Sequence, residues 1–371
     1  MSSSHQFTQV ILDILTQHFG DIAEEIFNKS PLIQYLNIKT KSANRDSKSR
    51  PSLGNHYALY VLIEDYINGN FNTNKNYENY EGAKFSDLLR RQRELPFGEK
   101  LQNHALNHRL NMEFKKYFPT LGEEPILRDI ATSRYWINEN LLIVTVSKVQ
   151  YNIAIAIKDI IDSFVAVRQK SFRDFMRYCD ELLVIENKNC DEAIAFIKNL
   201  LKPNTDARVF EITSYAILKI FYAQQTIFWG YSLDTLVEDA LILYKTGRTN
   251  ANDGGIDFVM KPLGRFFQVT ETVEVDKYFL DIDKIQRYPI TFVVKSNETP
   301  EQIKAKIKQQ AEIKYKIKAI VKRYLNCIEE IINLPSLDDK LTEIVGNNQI
   351  QDVIREILIQ SKLEFNIDEA D

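Results

Sequence analysis

Two oxygen-bearing side chains in the segment from Gly247 to Glu271, GRTNANDGGIDFVMKPLGRFFQVTE, are the residues of this chain best placed to do chemistry. Asp257 lies in a short acidic run, IDFVM, that follows a glycine-rich turn. Gln268 lies in a second run, RFFQVTE, reached through a Lys-Pro-Leu-Gly connection. Both runs read as strands, and so short a connection joins them as a hairpin. Side chains alternate faces along a strand, so Gln268 and Thr270 point one way while Phe267, Val269 and Glu271 point the other. Asp257, on the first strand, then sits beside Gln268. A strand-borne carboxylate and a second oxygen ligand can hold Mg²⁺ beside a scissile phosphate. Asp253, in the Asn-Asp-Gly-Gly turn, is better suited to capping that turn.

The elements that must position these residues are legible on both sides. Pro203, Asn204 and Thr205 interrupt a helical pattern, and ARVFEITSYAILKIFYAQQTIFW then starts a helix with Phe210, Tyr215, Ile217, Leu218 and Phe221 inward. Trp229-Gly230-Tyr231-Ser232 turns the chain toward a second expected helix, Leu233 to Tyr244. After the hairpin, Tyr288 to Lys295 (YPITFVVK) reads as a core strand. Thr299-Pro300-Glu301-Gln302 then reads as a capped helix start. Further upstream, helical spacing covers Phe7 to Phe27, Leu53 to Ile67 and Tyr151 to Leu183, whereas the Asn-rich Asn68 to Glu81 reads as a loop. The expected fold class is mixed α/β, with a mainly helical lobe over 1–203 and an α/β lobe over 204–371.

At 371 residues and 44% hydrophobic content the chain has material for two cores. No apolar run approaches the ~20 residues needed to cross a bilayer. The start MSSSHQFTQV lacks the features of a signal peptide, so a cytoplasmic protein without membrane contact is expected. Cys179, Cys190 and Cys327 have neither an even count nor metal-ligand spacing and read as buried free thiols.

The net charge of −4 is unevenly spread. Basic residues gather in Lys39 to Arg50 (KTKSANRDSKSR), around Arg90, Arg91 and Arg93, and from Lys304 to Arg323. The last group points around the whole helix circumference and reads as a solvated face. Lys39 to Arg50 holds almost no apolar residue and reads as an exposed loop able to lie along a phosphate backbone through Lys39, Lys41, Arg45, Lys48 and Arg50.

Other chemistries lack support. All five histidines lie in the N-terminal third, away from the acidic hairpin, and no Ser or Cys stands in a nucleophile motif. His104 and His108 share a helix face, which permits a metal pair, but no HExxH glutamate accompanies them. Gly254-Gly255 lacks the Gly-Lys-Ser/Thr ending of a phosphate-binding P-loop.

The hairpin segment, together with RVFEITSYAILK, SANRDSKSRPSLGNHYALYVLIEDY and RRQRELPFGEKLQNHALNHRLN, resembles type II restriction endonucleases of the PD-(D/E)xK superfamily, most similar to the ApaLI-like group. The resemblance implies a nuclease core in 204–371 and a DNA-recognition and dimerisation lobe in 1–203. It implies Mg²⁺-dependent cleavage of both strands of double-stranded DNA at a short palindrome by a homodimer. A cognate DNA methyltransferase is expected in the host, without a stable complex. Asp257 and Gln268 would be metal ligands. Glu211, on the helix before the strands, would be a third, although it also reads as an acid complementing the helix dipole. In one departure, Thr270 stands where the superfamily has a lysine. Lys261 is the candidate for the missing charge, and it reads equally as a surface residue or a phosphate contact. The expected catalytic set is thus Asp257, Gln268, Thr270, Glu211 and Lys261. The alternatives are a catalytically silent DNA-binding protein on the same fold and a modification-dependent nuclease resembling Mrr-type enzymes.

Overall fold

The structure, a computed structural model, describes residues 4–41, 53–74, 76–99, 101–184, 190–203, 205–246 and 256–365. It is mixed α/β and divides into two compact units, Met1–Phe175 and Met176–Asp371. The division falls inside a long helix, ahead of the break at Pro203 that the sequence suggested.

In the first unit, α1 (Gln6–Phe19), α2 (Ala23–Lys29), α3 (Pro31–Thr40), α4 (Leu53–Asn68) and the single turn α5 (Phe71–Asn74) precede a short strand, β1 (Ala83–Lys84). Then come α6 (Phe85–Glu94), a π-helical turn (Ala105–Arg109) and α7 (Leu110–Tyr117). Strands β2 (Ile126–Asp129), β3 (Arg134–Ile137), β4 (Ile143–Val146) and β5 (Val149–Asn152) lead into α8 (Ala154–Val184). α4 is the centre of this core, with every residue from Asn55 to Ile63 buried. The helix expected over Phe7 to Phe27 is interrupted at Gly20, whose φ of 58° is a conformation glycine adopts without strain. The expected Asn-rich loop holds α5 and a 3₁₀ turn at Tyr77–Asn79, and Tyr80 closes it by burying its ring. Two small sheets, of order β1-β3-β2 and β4-β5, were not read from the sequence.

The second unit contains α9 (Asp191–Leu200), α10 (Ala207–Ala223), β6 (Thr226–Trp229), β7 (Val237–Ala240), β8 (Ile242–Lys245), β9 (Phe258–Lys261) and β10 (Arg265–Thr270). These are followed by α11 (Val275–Lys284), β11 (Ile290–Val294), α12 (Pro300–Lys314), α13 (Lys318–Leu325), β12 (Ile328–Ile332), α14 (Leu334–Gly346) and α15 (Ile350–Phe365). A five-stranded sheet has the order β12-β11-β10-β9-β8. β8, β9 and β10 form an antiparallel meander, and β10, β11 and β12 run parallel. α11 makes the crossover from β10 to β11. β11 is buried at all five positions, as its uninterrupted apolar run requires of a parallel strand covered on both faces.

The alternation of β10 sets the layers. Phe267 faces α10, with its ring 6.1 Å from Tyr222, while Phe266 packs against the core built from α11, α12, α13, β11 and β12. α10 also packs on β8, α14 and α15. The capping box read at Thr299 is present, with Gln302 as its partner. The helix expected over Leu233 to Tyr244 is absent: after a 3₁₀ turn at Leu233–Thr235 the chain pairs as β7 with β6 and as β8 with β9. Cross-strand pairing, such as Thr226 Oγ1 donating to Glu238 at 2.8 Å, outweighs the helical spacing there.

Candidate active site at the β9–β10 hairpin

The hairpin forms in the register its sequence suggests, with Phe267 opposite Phe258 and Arg265 opposite Met260. Asp257 stands one residue before β9. Its backbone N–H still donates to Phe267 O at 3.1 Å, so the carboxyl group lies beside β10. There Asp257 Oδ2 accepts from the Val269 N–H at 2.7 Å and takes the place of the strand that has ended.

Gln268 and Thr270 follow on the same face of β10, and both are buried. Gln268 Oε1 is enclosed by protein and, among the described residues, accepts no hydrogen bond. A buried carbonyl oxygen left unpaired costs roughly 1–3 kcal/mol, so its persistence needs an explanation. The Thr270 hydroxyl accepts from Lys277 Nζ at 3.1 Å and donates to Thr272 O at 3.1 Å. Lys277, in the first turn of α11, therefore brings an ammonium group to the residue that stands where the superfamily's lysine is expected.

Glu211 arrives from α10. Asp206 caps that helix by accepting from the Arg208 N–H, so Glu211 lies beyond the first turn and it is Asp206, not Glu211, that complements the dipole. Its carboxylate is almost fully buried between two cations, Arg208 at 2.6 Å and Lys245 at 3.2 Å. Arg208 reaches on to Glu364 at 3.5 Å.

Loss of hydration first, and the negative charge of Glu211 second, push the Asp257 carboxyl up to about 7. The Val269 N–H, Arg208 and Lys277 pull the other way.

The structure does not bring Lys261 to this group. It ends β9, is exposed, and pairs in register with Ile242 of β8. At ~3.3 Å per strand residue, its Cα is about 13 Å from that of Asp257, too far for its side chain to close the gap. Glu271 turns to Lys295, which is almost wholly buried, at 3.0 Å. In the first unit, Lys39 belongs to α3 rather than to a loop and is paired with Glu113 at 2.7 Å, while Lys41 is exposed at the end of that helix. Arg45, Lys48 and Arg50, like Asp253, lie outside the described residues.

His104 caps the start of the π-helical turn and His108 lies within it, with ring centroids 6.0 Å apart. Cys179 and Cys327 are buried free thiols, and Cys190 is half-buried. Sequence reasoning missed Lys277, Lys245 and Arg208. Lys245 was hidden by the expected helix over Leu233 to Tyr244. Arg208 and Lys277 carry no local signal that separates them from other helical cations.

Among the described residues no cluster of three or more His, Cys, Asp or Glu stands ready for a cation. The oxygen donors at the hairpin are Asp257 and Gln268, while Glu211 comes from α10, which packs on the Phe267 face of β10. An oxygen-only set with few protein ligands suits Mg²⁺, which usually keeps several of its waters, better than a soft metal. The unpaired Gln268 Oε1 and the raised proton affinity of Asp257 both fit a cation at this point. No family model matches the sequence, and neither does a curated protein or a solved structure. No helix among the described residues is long and apolar enough to cross a membrane.

Proposed function

We propose that the second unit is a Mg²⁺-dependent phosphodiesterase of the PD-(D/E)xK type, and that the chain is a site-specific endonuclease acting on double-stranded DNA as a homodimer. One arrangement carries the reading: the Asp257 carboxyl is held on the Val269 amide, next in sequence to Gln268 with its unpaired oxygen, and Lys277 is anchored on Thr270 of the same strand.

Asp257 and Gln268 would hold the cation, with Glu211 the third oxygen donor. The cation would supply charge stabilisation at a phosphoryl oxygen and lower the pKa of a nucleophilic water. The chain's own residues do the rest. Asp257 Oδ2 is fixed by the Val269 amide. Arg208 and Lys245 pair with the buried Glu211 carboxylate and hold it in place. Lys277, anchored on Thr270, offers a positive charge to the phosphate as charge develops in the in-line displacement, which inverts phosphorus.

A silent DNA-binding protein on the same fold is the second reading. It is favoured by the engagement of Glu211 with two cations, which leaves one uncompensated carboxylate. Incubating unmethylated and methylated phage DNA with the protein and Mg²⁺, then sequencing the ends, separates the readings. Discrete ends at one palindrome support the proposal. Cutting confined to methylated DNA points to a modification-dependent nuclease, and intact DNA under both conditions supports the silent reading.

A further inference from the structure

The outer face of the β1-β3-β2 sheet, in the first unit, carries a cavity of about 390 Å³ that the nuclease reading does not use. Its floor is Trp136 of β3 and Leu127 of β2. The two lie directly opposite in the antiparallel pair, so their side chains share one face. That face is turned away from the buried Ile126, Tyr135 and Ile137, and Leu127 is 41% exposed on it.

The indole is held in a fixed position. Trp136 Nε1 donates to Tyr80 O at 2.7 Å. The ring also lies against Gly82, where a Cβ would come within 2.4 Å of Cε2. The 3₁₀ turn at Tyr77–Asn79 makes the wall, pinned to β3 by the Tyr77 hydroxyl, which donates to Ile137 O at 2.6 Å. An anchored aromatic ring beside an exposed aliphatic side chain is a platform on which a flat ring can stack.

The polar groups around the platform narrow the ligand. Asp129 follows Leu127 by two residues and so shares its face; it accepts from the Thr132 hydroxyl at 2.7 Å and the Ala131 N–H at 2.9 Å. Those bonds, Thr132 first, hold its carboxyl below the ordinary range, so it is an acceptor at neutral pH. Glu78, on the turn, is exposed and has no partner among the described residues. The ring donors are already spent on protein: Tyr77 on Ile137, Tyr80 on Asp65 and Trp136 on Tyr80. Arg128, the one cation of the lining, leaves the edge strand β2 from the opposite face. The site therefore presents a stacking surface and acceptors, and it fits a flat ring that brings its own N–H donors.

We propose that this cavity binds a nucleobase carrying an exocyclic amine, that is cytosine, adenine or guanine. A carboxylate accepts from such an amine and is repelled by uracil and thymine, which present a carbonyl oxygen in place of the cytosine amine. The volume admits one base with its sugar. A base inside a duplex is stacked on both sides, so the ligand is a free nucleotide or a base already out of the stack. The proposal does not rest on the chemistry of the β9–β10 hairpin, and its test needs neither metal nor cleavage.

Calorimetric titration of the full chain in EDTA with the four ribonucleoside monophosphates tests it. CMP, AMP and GMP should bind with a Kd between about 10 µM and 1 mM, and UMP at least about tenfold more weakly. In a Trp229→Phe background Trp136 is the sole tryptophan, and CMP should quench its emission. Leu127→Asp and Glu78→Gln, both at exposed positions, should each weaken CMP at least about tenfold with unchanged circular dichroism. A single-stranded oligocytidine tells the two sources apart, and either result supports the cavity. Binding tighter than CMP that Leu127→Asp removes assigns it to an unpaired base in nucleic acid, and binding no tighter than CMP assigns it to a free nucleotide. Equal affinity for CMP and UMP, no binding of any nucleotide at ~5 mM, or unchanged affinity in both variants would each overturn the proposal. So would choline perturbing Trp136 where CMP does not, the behaviour of an organic-cation site. No arm reads cleavage, so failure here leaves the nuclease reading as it stands.

Discussion

Two carboxylates, one in each unit, are drawn into protein and solve the problem of their charge in opposite ways. Glu113 of α7 receives Lys39 Nζ at 2.7 Å, Arg109 Nε at 3.1 Å, Asn55 Nδ2 at 2.9 Å and the Tyr35 hydroxyl at 3.3 Å. Burial alone would raise its pKa, but the hydrogen bonds and charges of Lys39 and Arg109 win and hold it below the ordinary range. Asp257 has one backbone N–H, more distant cations and a carboxylate neighbour, and its pKa rises. The first arrangement is a finished structural pair. The second is left with its burial uncompensated, and an oxygen of its neighbour Gln268 is also unpaired, which is the arrangement the proposed cation would complete.

Among the charged partners of the two carboxylates, the largest effect is expected at Lys277. If its ammonium serves the phosphate, Lys277→Ala lowers the cleavage rate at saturating DNA by about two orders of magnitude, the scale of one lost transition-state contact. Lys261→Ala leaves the rate within a few-fold of wild type. Single-turnover kinetics on both variants distinguish the two lysines, and the reverse ranking would restore Lys261 to the site.

Next in size is Glu113. Removing a carboxylate that four donors converge on leaves those donors short of a partner, so Glu113→Gln should destabilise the first unit by about 1–2 kcal/mol, discounted for its partial exposure. The sign follows from the lowered pKa: the contribution is full at neutral pH, above the unfolded value, and is lost as pH falls through the folded one. Denaturant melts at pH 7 and pH 3 should show the loss at pH 7 and little of it at pH 3.

Asp257 should behave in the opposite sense. Its folded pKa is raised from the ordinary carboxylate range to about 7, so between about pH 4 and 7 the folded chain holds a proton that the unfolded chain releases. Stability therefore falls as pH rises through that window. Asp257→Asn should match wild type near pH 4 and melt several degrees higher at pH 8. Equal melting at both pH values would mean that Asp257 is as well compensated as Glu113.

The smallest effect is a cation shift. Ca²⁺ at millimolar concentration should raise the wild-type melting temperature by a few degrees at pH 8, as expected for ligand bound only by the folded state. The shift should vanish in Asp257→Asn and shrink in Gln268→Leu. Equal shifts in all three would place cation binding elsewhere.

What was legible in the sequence follows from how local each signal is. The β9–β10 hairpin, the β11 strand and the Thr299 capping box depend on residues a few positions apart, and they stand where expected. Asp257, Gln268 and Thr270 could be placed together for the same reason. The β6–β7 hairpin was misread because Leu233 to Tyr244 has helical spacing, and only pairing with distant partners decides its state. The small sheets of the first unit escaped because four-residue strands are too short to show a period. Compensation was the least legible property. Whether a carboxylate is finished or in need of charge depends on which of 47 Lys and Arg side chains reaches it, and Lys261, four residues from Asp257 in sequence, lies farther from the site than Lys277, twenty residues on.

The most direct test of the central claim, that the under-compensated carboxylate is the reactive centre, is a paired measurement on Asp257→Asn with duplex DNA containing the mapped site. Cleavage is followed in Mg²⁺ and binding by gel shift in Ca²⁺. The account predicts that wild type cuts, that the variant cuts at least two to three orders of magnitude more slowly, and that the variant still binds the duplex. Wild-type cleavage rates in the variant would contradict it, as would a wild-type protein that binds the DNA in Mg²⁺ and leaves it whole.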